Sequence, residues 1–104
     1  MSAVDGSDGS QAERLAEVGT HRVEVLAATH LIRATTAGLR CRALLEEYDV
    51  DAALDEYLAV EDAVRELESL VSCSGTQMRD ETVFCIFRAR ARAKKLGRLL
   101  AACR

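Results

Sequence analysis

Apolar residues recur along this chain at spacings of three and four, most clearly between residues 50 and 72. Ala53, Tyr57, Val60, Val64, Leu67 and Val71 fall on one helical stripe, because such steps return to the same face each turn. Asp55, Glu56, Glu61, Asp62, Glu66 and Glu68 stand between them and keep the opposite side in water. One amphipathic helix cannot bury its own stripe, so the flanking segments must cover it.

Residues 20–47 carry two stripes. Val23, Ala27, His30, Ala34, Ala37, Cys41, Leu44 and Tyr48 form the first; Val25, Ala28, Ile32, Thr35 and Leu39 form the second, on nearly the opposite side. A helix with two apolar sides is central in its assembly or shared with another molecule. With only two other helices available, the pattern predicts a homodimer interface at Val25, Ile32 and Leu39. Downstream, residues 77–103 place Ile86, Ala89, Ala93, Leu96, Leu100 and Cys103 on one stripe. Phe84, Phe87 and Ala91 lie roughly half a turn away.

The boundaries follow from turn and cap residues. Tyr48-Asp49-Val50-Asp51 reads as the first turn, with an aspartate capping the positive end of the middle helix. Ser72–Thr76 reads as the second, with Gly75 as a left-handed stop and Thr76 as the next cap. Ser10 and Glu13 have capping-box spacing. Gly19-Thr20 then leaves open whether 11–47 is one helix or a short one followed by a long one. The small, polar opening MSAVDGSDG predicts a disordered leader over 1–10 and a single domain over 11–104. The expected fold is all-α: a three-helix, up-down-up antiparallel bundle, with a short extra N-terminal helix if Gly19-Thr20 breaks the first.

Composition supports this. There is no proline, there are six glycines, and good helix formers dominate. At 104 residues the chain makes one domain, too small for separate substrate and cofactor lobes. The net charge of −3 is unevenly spread. Residues 41–72 hold two basic and ten acidic side chains, whereas 73–104 hold eight basic and two acidic. That contrast favours antiparallel pairing of the last two helices. The cysteines, Cys41, Cys73, Cys85 and Cys103, form no CxxC pair, and in an up-down-up bundle no two share a level. A disulfide needs Cα atoms within about 7 Å. Reduced thiols, no metal site and a cytoplasmic or nuclear protein are therefore expected. No signal peptide or membrane span is read from the pattern.

Candidate chemistry is sparse. From His30 the chain reads HLIRATTAGLRCRALLEE, with ERLAEVG upstream and EYLAVEDAVRELESLV downstream. Over about residues 13–72 this resembles the phospho-accepting dimerisation hairpin of sensor histidine kinases: Ile32, Arg33 and Leu39 fill that pattern's hydrophobic, basic and apolar places. It is also similar to the HxxKG pattern of histidine-phosphotransfer domains. The resemblance implies His30 as phosphoryl acceptor. It departs in Leu31, where an acidic residue is usual, in Thr35 for proline and in Ala34 for glycine. Separately, EEYDVDAALDEY followed by RARAKKLGRLL resembles the three-helix MIT domain over residues 46–100, with Arg90 in a usually apolar place.

RARARAKK, Arg88 to Lys95, splits on a helix into the stripes Arg88-Arg92-Lys95 and Arg90-Lys94-Arg98. Either nucleic acid or the acidic middle helix could take up such charges. His21, Tyr48 and Tyr57 make no catalytic pairing, and there is no nucleophile–base signature, phosphate loop or cofactor motif. The reading is a non-enzymatic adaptor that self-associates. Phe84 and Phe87 are its expected anchors, with Arg88, Ala91, Lys94, Lys95 and Arg98 around them. An acidic amphipathic helix is the complementary partner. Phosphotransfer through His30 and nucleic-acid binding through the last helix are the alternatives.

Overall fold

In a computed structural model of the chain, three helices pack as an up-down-up antiparallel bundle. The structure describes residues 2–103, and the side chains of residues 2–13, Leu15 and Ala16 lie outside the described set. The helices are α1, Ser2–Glu46; α2, Val50–Ser74; and α3, Asp80–Ala102. A single 3-10 turn, Gly75–Gln77, links the last two. The molecule measures 71 × 17 × 16 Å, close to the length of α1 alone.

The inner stripes meet as expected and form two adjoining clusters. Ala37 and Cys41 of α1 pack with Ala53, Val60 and Val64 of α2 and with Ala93, Leu96 and Leu100 of α3. At the other end Val23 and Ala27 pack with Leu67, Met78 and Ile86. Tyr57 lies across α3 at Gly97, where an added Cβ would sit 2.6 Å from the tyrosine oxygen. Any larger residue at 97 would have to push the ring aside. The Glu61 carboxylate, then burial, push the Tyr57 hydroxyl up to about 12. Cys41 is fully buried, and burial followed by the charge of Glu56 raises its thiol pKa.

Several boundaries differ from the sequence expectation. α1 is one helix; it runs through Gly19 and Thr20, so Thr20 caps nothing and no separate N-terminal helix forms. An interior glycine costs only about 1 kcal/mol, too little to break a long ladder. The helical trace also covers most of the stretch expected as a leader. That stretch's side chains lie outside the described residues, so the leader continues to rest on composition alone.

Tyr48 is not core: it is 90% exposed and closes α1 in the left-handed region at φ 61°. The Asp49 N–H donates to the Leu44 carbonyl at 2.9 Å and the Tyr48 N–H to Leu45 at 3.1 Å, the two bonds of a Schellman stop. Asp49 then caps α2 by accepting from the Ala52 N–H at 3.2 Å.

Gly75 is not a left-handed stop; at φ −58°, ψ −33° it carries the chain on in a right-handed turn. Thr76 therefore starts no helix, and α3 begins three residues later than expected. The linker is held by Met78, which is buried among Val23, Ala27, Leu67 and Ile86. Cys103 is exposed beyond Leu100, where the inner stripe of α3 runs out of cover.

Candidate interaction surfaces

With the inner stripes paired, most of the remaining large apolar side chains lie on the outer faces of α1 and α3, with Leu58 on α2 and Tyr48 in the first turn as exceptions. On α3, Phe84 is 61% and Phe87 53% exposed. Ala91, Lys94, Lys95 and Arg98 are exposed on the same outward side, and the Arg88 guanidinium lies 5.9 Å from the Phe84 ring centroid. A guanidinium over a ring face is attracted by the ring quadrupole, which partly shields Phe84 from water. Phe84, Phe87 and the five residues singled out around them thus share one surface.

The expected pairing of the acidic and basic helices is sparse. Arg90 meets Glu68 at 3.4 Å, and Arg33 of α1 meets Asp62 at 3.3 Å. Among the described residues, Arg88, Arg92, Lys94, Lys95 and Arg98 make no ion pair. The basic stripes are therefore split: Arg90 is engaged with α2, while the others face solvent.

On α1, Val25, Ile32 and Leu39 are 49, 66 and 65% exposed, and Val18 one heptad earlier is 54% exposed. The sequence reading missed Val18, although the seven-residue spacing from Val25 was available. It also missed Leu99, which faces Leu39 across a groove of about 420 Å³ between α1 and α3. Ala34, Gly38, Ala89 and Ala93 keep that groove's floor low, and Arg42, Arg92 and Lys95 stand at its edge.

His30 is half-buried rather than sealed in. Its Nδ1 lies 2.9 Å from Arg33 Nη1, and because a guanidinium only donates, Nδ1 is the acceptor in that contact. Among the described residues no group of three or more His, Cys, Asp or Glu is placed to hold a metal ion.

One polar cluster was not foreseen. Glu24 of α1 accepts from the Arg79 N–H at 2.7 Å and the Thr82 hydroxyl at 2.6 Å. Arg79 is the N-cap of α3 and its own side chain caps nothing. Glu24 therefore does from another helix what the third residue of a capping box does locally. The hydrogen bonds from Thr82 and the Arg79 backbone lower its pKa.

No helix of the described residues is long and apolar enough to cross a membrane. Set against known proteins, this chain matches no family model, no curated sequence and no solved structure.

Proposed function

We propose that this chain is a non-enzymatic interaction module of the cytoplasm or nucleus. It self-associates through the outer stripe of α1 and docks a protein partner on the outer face of α3. The observation that carries this reading is that two groups of exposed large apolar residues line up. Val25, Ile32 and Leu39 follow one ridge of α1, and Phe84 and Phe87 sit together on α3. Scattered apolar residues are ordinary on a protein surface, whereas aligned ones are the usual mark of an interface. The cations around the two rings favour a partner with an apolar ridge and acidic edges, such as an acidic amphipathic helix.

A nucleic-acid surface on α3 is the second reading. The five cations without an ion pair among the described residues support it. Binding to phosphates would fall steeply as salt rises, whereas binding anchored by the phenylalanines would not.

Light scattering tests the self-association. The parent should run at twice 11.3 kDa, and Ile32→Glu should halve that mass while its helical circular dichroism stays intact. A parent that is monomeric at tens of micromolar removes the proposal.

A further inference from the structure

Resting on the self-association proposed above, we infer that two copies pair antiparallel along α1 in a single register, with Ile32 of each chain against Ala28 of the other. Val18, Val25, Ile32 and Leu39 are seven residues apart and all exposed. A seven-residue repeat keeps one seam facing a partner helix over several turns. The companion positions three residues on, His21, Ala28, Thr35 and Arg42, are also exposed, and the central two are small. A parallel pair would stack Ile32 on Ile32 and Ala28 on Ala28, alternating crowded layers with empty ones. The antiparallel pair sets the two central large residues against small or slender ones, Ile32 on Ala28 and Val25 on Thr35, and the two outer ones against polar side chains, Leu39 on His21 and Val18 on Arg42. The central layers then have similar volumes, as close packing requires.

Charge selects the same register. It brings Glu46 opposite the partner's Arg14, and Glu17 beside the partner's Arg42, at both ends of the seam. Arg14, Glu17, Arg42 and Glu46 are all exposed. Sliding the pair by one heptad sets Arg14 opposite Leu39 in one direction and past the end of α1 in the other. A parallel pair would instead set Glu46 on Glu46 and Arg14 on Arg14. The last turn of α1 also has no basic residue of its own. The partner's Arg14 would supply the cation that the negative end of this helix lacks.

Cross-linking decides the arrangement. In a background with Cys73, Cys85 and Cys103 changed to serine, Val25→Cys and Thr35→Cys are made separately, checked for parental helicity, and oxidised alone and as a mixture. The inference expects a disulfide-linked heterodimer in the mixture, identified by mass, with little linking of Val25→Cys to itself. In the antiparallel register those two positions are about 15 Å apart along the axis, beyond disulfide reach. Glu46→Arg should raise the dimer dissociation constant roughly three- to tenfold, and added Arg14→Glu should restore it. A monomeric parent overturns the self-association itself. A dimer that links Val25→Cys to itself keeps self-association and overturns the antiparallel arrangement. A dimer that gives no heterodimer link places the interface on another face or in another register, and overturns the inference equally.

Discussion

Glu24 and Tyr48 carry local duties that their side-chain types do not announce. The Glu24 side chain is only 13% exposed and holds the start of α3 by two short hydrogen bonds. Because these lower its folded pKa, its contribution is present above the ordinary glutamate range and is lost as pH falls through the depressed value. Glu24→Gln should cost about 1 kcal/mol at neutral pH, the usual worth of a cap. Thermal melts of parent and variant should converge on acidification; a constant gap down to pH 3 would mean that the charge is not what caps α3. Tyr48 is the opposite case, a side chain almost wholly in water on a backbone that suits glycine. A left-handed conformation costs a non-glycine residue about 1–2 kcal/mol. Tyr48→Gly should therefore stabilise the fold by about 1 kcal/mol in urea titration, once the freer unfolded glycine is allowed for. A variant that unfolds at lower urea would show that the ring holds the turn.

For the helices, the contrast is between inner and outer stripes. Val64 on α2 is 6% exposed, between α1 and α3. Val64→Asp places an unpaired charge there, at a cost of several kcal/mol against a total of roughly 5–15. It should leave the chain unfolded, without a cooperative melt. Phe84 and Phe87 sit on the outer face of α3, so replacing both with alanine should shift the melt by no more than about 1–2 kcal/mol. A core phenylalanine would cost about 3–5 kcal/mol each. A double mutant that melts as early as a core variant would show that the rings stabilise the bundle rather than await a partner.

Across the whole molecule, charge and apolar surface are sorted by helix. α2 turns its carboxylates outward with Leu58 among them, and α3 presents Arg88, Arg92, Lys94, Lys95 and Arg98, which make no ion pair among the described residues. The slender shape follows from α1, which is nearly twice as long as α2 or α3. Antiparallel pairing along this helix would leave the α3 face of each copy free and set the two faces toward opposite ends. One dimer could then hold two partners, and their combined avidity would depend on the spacing between those ends.

The sequence by itself determined the three long helical segments, their antiparallel order and nearly every buried position, but not whether Gly19-Thr20 split the first, which the structure shows as one helix. Periodicity is a local property, and a stripe such as Val60, Val64, Leu67 has only one way to face a neighbour. It also marked Val25, Ile32, Leu39, Phe84 and Phe87 as apolar positions left over once the inner stripes were assigned. The first turn and its Asp49 cap were legible too, but where α3 begins was decided only by the tertiary structure. Gly75 was legible as a stop, yet burial of Met78 lets the chain turn right-handed there, while the stop falls on Tyr48, whose residue type disfavours it. The cap of α3 comes from Glu24, 55 residues away in sequence. A donor and an acceptor that distant meet only when α1 and α3 have packed, so no local pattern could pair them. The same holds for the α1–α3 groove, whose depth arises because Ala34 and Gly38 face Ala89 and Ala93 across two helices.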